Sequence, residues 1–238
     1  MTLGPSEAYR KLLKAYGPRG WWPVTVKPSK GPVYRPGHQG RLTERQRVEV
    51  CVGAILTQNT NWKNVESALR TLHGAGARDL RGILKTPSRR LEALVRPSGY
   101  FRQKAKKLKI FARHALSRGR SIGKWLDAPL DSLREELLSL WGVGPETADS
   151  ILLYAGGRPV FVVDAYAVRI GRRAGWFRRH DYDHVQRFFT RKLPKDAAVY
   201  AEFHALLVEL AKRHCRATPS CPGCPLKEGC RHGRAERN

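Results

Sequence analysis

The sequence predicts an all-α fold. Almost every segment with a regular apolar pattern repeats it at helical spacing, and short Gly, Pro or Asp turns separate these segments. Convincing alternation of apolar and polar residues, which would predict half-buried strands, is absent from the sequence. The 238 residues are 41% hydrophobic and include six tryptophans, which is enough for a real core.

The predicted helices follow one another along the chain. The first lies within MTLGPSEAYRKLLKAYG, where Ser6 stands ahead of the first turn as a cap. The later helices lie in the segments TERQRVEVCVGAILTQ, NWKNVESALRTLHG, FRQKAKKLKIFARHAL, LDSLREELLSLWG, ETADSILLYAGG, AYAVRIGRRAG, DHVQRFFTRKL and AVYAEFHALLVELAKRHC. The apolar run RPVFVV, residues 158–163, is short and predicts a buried link between helices.

One long irregular region, residues 17–40, lies between the first two predicted helices. It is rich in Pro and Gly but also contains Trp21, Trp22 and Tyr34. A loop of this length is usually functional or disordered, and the paired tryptophans argue against disorder. We therefore expect a functional loop here.

The charge of the chain points to a phosphate-rich partner. Lys and Arg number 45 against 20 Asp and Glu, a formal net charge of +25, and the pI is about 10.6. A solubilising surface or a ribosome-associated protein are alternatives, although ribosomal tails are poor in core residues. The sequence shows neither a secretory signal nor an apolar run long enough to span a membrane, so we expect a cytoplasmic, nucleoid-associated protein.

Four cysteines cluster near the end of the chain. They are spaced C-x5-C-x2-C-x5-C on a loop rich in Pro and Gly, at Cys215, Cys221, Cys224 and Cys230. In a reducing compartment this pattern predicts a tetrahedral site of four thiolates, holding either a [4Fe–4S] cluster or structural zinc. Zinc sites favour two x2 pairs, so the single x2 pair favours the cluster, in a structural role. Cys51 lies on an apolar helical face and is predicted to be a core residue.

A glycine turn joins two of the predicted helices. In LWGVGPETAD, residues 140–149, Gly142, Val143 and Gly144 precede a helix whose N-terminal N–H groups are exposed. This geometry can hold a DNA phosphate without a side chain.

Together, these motifs resemble one family. The pattern L-x-G-V-G-x-x-T-A, then VVDAYAVRI with Asp164, then the four cysteines is similar to the helix–hairpin–helix DNA glycosylase superfamily, in its iron–sulfur endonuclease III branch. The resemblance covers about residues 42–230. It implies a six-helix lobe (41–157) with the hairpin motif at about 133–156. A second lobe (1–40 and 158–238) would combine the N-terminal helix, the aromatic loop and the cluster. The implied partner of this predicted monomer is double-stranded DNA containing damaged bases.

The resemblance also implies roles for individual residues. Asp164 matches the catalytic carboxylate, Gln58 the residue that fills the gap left by an extruded base, and Tyr100 the wedge loop. The hairpin contacts to DNA would come from Gly142, Val143, Gly144 and Thr147. The first cysteine interval is one residue shorter than the family's usual x6, which we interpret as a loop deletion.

Position 146 departs from the bifunctional members of the family. Their lysine attacks the sugar and forms a Schiff base, whereas this chain has Glu146, and a carboxylate cannot form an imine. The substitution predicts a monofunctional glycosylase in which Asp164 assists attack by water. Glu146 is either a wall of the base pocket or simply a favourable acid in the first turn of a helix.

The expected substrate is a purine made cationic by alkylation. Trp21 and Trp22, in GWWP, resemble the 3-methyladenine glycosylase subgroup, and their π faces would bind a cationic base. Alternatively, the two tryptophans fill the seam between lobes. Other functions left open are an endonuclease III-type lyase acting on oxidised pyrimidines through another lysine such as Lys63, and a mismatch thymine or uracil glycosylase. A third is a DNA-binding or redox-signalling protein that keeps the cluster but has no catalytic activity.

Overall fold

The computed structural model describes residues 2–27, 31–36, 41–119 and 121–235. The chain forms two compact units. We call them the hairpin unit, which comprises Trp22–Tyr34 and Gly40–Arg158, and the cysteine unit, which comprises Met1–Trp21, Arg35–Gln39 and Pro159–Asn238. The sequence-based division assigned residues 22–34 to the other lobe, and its boundary at residue 40 lies outside the described residues.

The hairpin unit is built from helices and one small ribbon. Its α-helices are α2 (Glu44–Leu56), α3 (Trp62–Gly74), α4 (Leu80–Lys85), α5 (Ser88–Val95), α6 (Phe101–Ser117), α7 (Ile122–Leu126), α8 (Leu130–Ser139) and α9 (Pro145–Ser150). A 3₁₀ turn at Arg96–Ser98 precedes α6, and a π-helical turn at Ile151–Ala155 continues α9. The strands β1 (Val24–Thr25) and β2 (Pro32–Val33) pair antiparallel.

Helix α2 is the centre of this unit. It starts with a capping box between Thr43 and Gln46, and every residue from Val48 to Leu56 is buried. Because the helix is buried on all sides at this end, its apolar residues do not form a single stripe. Cys51 is completely buried within it, as predicted, and this burial raises the pKa of its thiol.

The glycine turn joins α8 to α9 as a helical hairpin. The guanidinium of Arg134 on α8 donates two hydrogen bonds to the carboxylate of Asp149 on α9, at 2.7 and 3.1 Å. Asp149 is fully buried, and a bidentate pair of this kind fixes orientation as well as distance. The two helices are thereby held in one relative orientation.

The cysteine unit packs its helices around aromatic side chains. Its α-helices are α1 (Pro5–Tyr16), α10 (Ala165–Ala174), α11 (Tyr182–Lys192), α12 (Ala197–Arg213) and α13 (Arg231–Ala235). Phe161 stacks on Phe189 with ring centroids 4.3 Å apart, and both rings contact Phe203. Residues 160–163 lie outside regular secondary structure and are buried, so the predicted buried link is confirmed there, whereas residues 158 and 159 are partly exposed.

Two local expectations were wrong. Helix α1 begins at Pro5 after Gly4, and Ser6 does not cap it but donates to the carbonyl of Lys192 at 2.5 Å. The paired strands β1 and β2 were not expected, but they are only two residues each, so the predicted all-α class is confirmed. None of the helices described is both long and apolar enough to cross a membrane.

Candidate active site

Asp164 in the cysteine unit caps a helix with one oxygen. It is the N-cap residue of α10, where its Oδ1 accepts a hydrogen bond from the backbone N–H of Ala167 at 2.7 Å. Its Oδ2 lies 3.5 Å from Nε2 of His204 on α12, and both side chains are about nine-tenths buried. One oxygen of the carboxylate is therefore fixed by the helix cap, and the other faces the imidazole of a second helix.

The glycine turn places a carboxylate at the start of α9 in the hairpin unit. Gly142 has a φ of 82°, which favours glycine, and a Cβ there would lie 2.3 Å from Cε of Lys107. Val143 is buried beneath the turn, and Gly144 is the N-cap of α9. Glu146 is exposed in the first turn of this helix, where the positive end of the helix dipole favours an acid.

Gln58 is hydrogen-bonded to the hairpin. Its Nε2 donates to the carbonyl of Gly142 at 3.0 Å and to Oγ1 of Thr147 at 2.9 Å. Its Oε1 accepts from Nζ of Lys107, whose pKa is lowered by burial. The structure thus brings together three of the residues that the sequence assigned to DNA, namely Gln58, Gly142 and Thr147.

Tyr100 projects its ring outward from a strained backbone. It is the residue before α6, with a φ of 45° and a ψ of 34°, and the residue is 64% exposed. Left-handed backbone is uncommon for an aromatic residue. A large apolar ring that is exposed on such a backbone is available to stack on a partner.

Trp22 belongs to an aromatic cluster in the hairpin unit. Its ring centroid lies 5.3 Å from that of Trp62 and 5.2 Å from that of Tyr154. A Cβ at Gly53 of α2 would approach the Trp22 indole to 3.2 Å, so the glycine leaves room for that ring. Trp21 is half-buried and belongs to the cysteine unit. Trp62 and Tyr154 were not assigned to the site from the sequence.

A buried acid holds the strand that follows Trp22. Oε1 of Glu49 accepts from the backbone N–H and the hydroxyl of Thr25, at 2.8 and 3.0 Å, and its Oε2 lies 3.4 Å from Nε2 of His73. Burial raises the pKa of Glu49 to about 7 and lowers the pKa of His73. Both shifts favour the neutral forms of the two side chains, because burial penalises charge.

The four clustered cysteines line one cavity in the cysteine unit. Apolar side chains including Ile170, Ala174, Leu210 and Leu226 enclose it with them. None of the four is in a disulfide, and Nη1 of Arg173 donates to Sγ of Cys215 at 3.3 Å. No group of three or more His, Cys, Asp or Glu side chains in the described ranges is spaced to hold a single metal ion. Four thiols around one apolar cavity are nevertheless a donor set that fits an iron–sulfur cluster.

His204 and Glu49 were not predicted to be site residues, because each lies in a helical segment whose pattern is mainly apolar. An ionisable residue on the buried face of a helix is the signal that could have found them, since such groups are rarely buried without a partner.

Comparison with known proteins identifies the family. The profile of the HhH-GPD superfamily base excision DNA repair proteins matches residues 52–195. A protein of Methanocaldococcus jannaschii, provisionally named a DNA repair glycosylase, is 41% identical over 225 residues, which is 93% of each chain.

Two solved structures resemble this chain. The 3-methyladenine DNA glycosylase of H. pylori bound to 1,N6-ethenoadenine is 30% identical with a TM-score of 0.71, covering 89% of this chain and 98% of that one. An endonuclease III in a non-covalent DNA complex shares the fold at 21% identity, with a TM-score of 0.75 and 99% of both chains covered. The chain therefore belongs to the HhH-GPD superfamily of base excision DNA repair proteins and is a DNA N-glycosylase.

Proposed function

We propose that this glycosylase is monofunctional and removes purines made cationic by alkylation, such as 3-methyladenine. The observation that carries the proposal is Glu146, a carboxylate in the first turn of α9. By the resemblance to the family, the bifunctional members have a lysine at this position. An amine is needed to form the Schiff base that leads to strand cleavage. Without it, water is the nucleophile and the DNA backbone stays intact.

Asp164 supplies the charge for this hydrolysis. As the C1′–N bond breaks, the bonding electrons leave with the base and neutralise its positive charge. The carboxylate of Asp164 stabilises the oxocarbenium-like sugar, and the oxygen of water forms the new bond to C1′. The proton that water loses passes to Asp164. His204 and the N–H of Ala167 orient the carboxylate for these steps.

Aromatic rings and a carboxylate suit a cationic base. The Trp22 ring packs against Trp62, Tyr154 and the backbone at Gly53. Its position is therefore defined before any base binds. An aromatic face attracts a cationic ring, and Trp21 and Glu146 would add to this preference. The similarity to a 3-methyladenine DNA glycosylase at 30% identity supports the same substrate class.

We also propose that Cys215, Cys221, Cys224 and Cys230 hold a [4Fe–4S] cluster. With four protein ligands no coordination position is open, so its role is to brace the loop between α12 and α13. Purified protein should be yellow-brown and contain four iron and four sulfide per chain. A colourless protein with one zinc per chain would show that the four cysteines bind structural zinc and not the cluster.

The substrate is tested with duplex oligonucleotides that each carry one lesion, assayed with and without hot alkali. We expect strand breaks at alkylated purines, and only after alkali, because alkali cleaves the abasic site that a monofunctional enzyme leaves. Excision confined to oxidised pyrimidines, or to mismatched thymine or uracil, would overturn the substrate class. The enzyme is expected to act as a monomer on DNA of the nucleoid.

Borohydride reduction tests the monofunctional assignment separately. The wild-type protein should form no stable adduct with DNA, because borohydride traps only a Schiff base. An adduct would instead favour lyase activity through another lysine. Lys107 would then be the first candidate, because its side chain lies against Gly142 and burial lowers its pKa.

A further inference from the structure

A buried lysine joins two loops of the hairpin unit. Lys104 lies in the first turn of α6 and is only 1% exposed. Its Nζ donates to the carbonyl of Leu56 at 2.8 Å and to the carbonyl of Ser98 at 2.5 Å. These two carbonyls are far apart in sequence, since Leu56 ends α2 and Ser98 ends the 3₁₀ turn.

Each of these carbonyls lies two residues before a side chain assigned to DNA. Leu56 precedes Gln58, and Ser98 precedes Tyr100. The backbone is strained at the same two places: Asn59 and Tyr100, with φ of 53° and 45°, are the only non-glycine residues with positive φ in the described part of the chain. Strain of this kind persists only where the surroundings hold it in place.

The next turn of α6 continues the connection. Lys107 bonds the side chain of Gln58 and passes beneath Gly142 of the hairpin turn. One face of α6 therefore contacts the Gln58 loop, the Tyr100 loop and the hairpin. Burial lowers the pKa of Lys104 to about 8, with a smaller contribution from Lys107.

Burying an amine costs free energy, whereas burying a methionine side chain of similar length does not. Stability alone therefore does not explain a lysine at this position. We propose that Lys104 is a positioning residue that fixes the Gln58 and Tyr100 loops relative to each other, so that both enter the DNA stack together when a base is extruded. This proposal rests on the DNA roles assigned to Gln58 and Tyr100.

The decisive measurement compares duplex with single-stranded substrate. A base in a single strand is already unstacked, so loss of a wedge should slow excision from duplex DNA and spare excision from a single strand. For Lys104→Met we expect the single-turnover rate on duplex to fall by about tenfold to a hundredfold, with the single-strand rate within about twofold of wild type. Lys109→Met, on the same helix, is the matched control and should change neither rate.

Coupling to Tyr100 gives a second readout. Tyr100→Ala should show the same duplex-selective loss, and the double variant should lose little more than either single variant, because the two changes disable one device. Equal loss on both substrates, unchanged rates, or fully additive losses would each overturn the proposal.

A folding defect or a wrong lesion assignment is distinguishable from failure of the proposal. If Lys104→Met does not fold, Lys104→Gln is the second variant; its shorter amide reaches only one of the two carbonyls, and the same selective loss is expected. The lesion is whichever one wild-type enzyme excises, so an error in the proposed substrate would appear as inactive wild type on alkylated purines and would leave the duplex-to-single-strand comparison intact.

Discussion

The imidazole of His204 lies 3.5 Å from the carboxylate of Asp164, and the two side chains come from different helices of the cysteine unit. The other oxygen of Asp164 accepts the N–H of Ala167. The carboxylate thus has a defined orientation, and under the proposed mechanism little reorganisation would accompany the development of positive charge on the sugar.

Asp164→Asn should abolish most of the activity without unfolding the protein. Asparagine caps a helix as well as aspartate does, so thermal stability should hardly change. Loss of the charge should lower the single-turnover excision rate by about 10²–10³-fold while affinity for lesion DNA is retained. Asp181→Asn makes the same change at the cap of α11 and should leave the rate unaltered. An active Asp164→Asn enzyme would contradict the proposed mechanism.

Glu146→Lys should confer an activity that the wild type lacks. The exposed site tolerates a long side chain, and the positive end of α9 favours the uncharged amine that attacks an aldehyde. Incubated with abasic-site duplex and borohydride, the variant should yield a covalent adduct visible by gel electrophoresis. Glu135→Lys on α8 carries the same change of charge and should yield none. If the two variants behave alike, residue 146 does not lie where the sugar reacts.

Trp22→Ala should weaken catalysis more than Trp22→Phe. The alanine variant removes the aromatic face, and we expect excision of a cationic purine to slow by about tenfold, the range of one cation–π contact. Phenylalanine keeps a ring between Trp62 and Tyr154 and should retain most of the rate. Rates are compared only between variants with matching thermal stability. If the alanine variant and the wild type excise the base at equal rates, Trp22 has only a packing role and does not bind the base.

Glu49→Gln should change how stability depends on pH. Burial raises the pKa of Glu49 in the folded chain to about 7 from its ordinary value of 4.5. The folded state therefore binds the proton more tightly. Protonation of Glu49 stabilises the folded state fully below about pH 4.5, and this stabilisation is lost as the pH rises through about 7. The glutamine variant lacks this loss, so its free energy of unfolding relative to wild type should rise by about 2 kcal/mol between pH 5 and pH 8.

Urea unfolding at several pH values measures this difference. Glu135→Gln, which alters an exposed acid, should show no such trend. A constant difference between Glu49→Gln and wild type across the pH range would mean that Glu49 is ionised in the folded chain.

Much of the fold could be predicted from the sequence because its signals are local. Helical periodicity identified nine of the helices, but the short helices α4, α5, α7 and α13 were not predicted. The glycines marked the hairpin turn, and Asp164 stands immediately before a helix as a cap should. The clustered cysteines were visible from their spacing alone.

Contacts between distant segments were not predictable. Lys104 lies in a lysine-rich segment that is typical of a solvent-exposed helix face. Its burial depends on two carbonyls that come together only in the folded chain. The ribbon of β1 and β2 is too short for any periodic signal, and its connection to α2 runs through Glu49, a residue inside an apolar helix. Trp62 and Tyr154 likewise meet Trp22 through tertiary packing.

The position of Cys51 has a practical consequence for handling the enzyme. Its thiol is enclosed in α2, and burial raises its pKa, so it supplies almost no thiolate to an alkylating dye or an oxidant. Covalent labelling of thiols in the native protein should therefore report only on the other four cysteines. For a protein that holds the proposed [4Fe–4S] cluster, the number of dye molecules attached per chain then measures the fraction of a preparation that has lost it, without any assay of DNA.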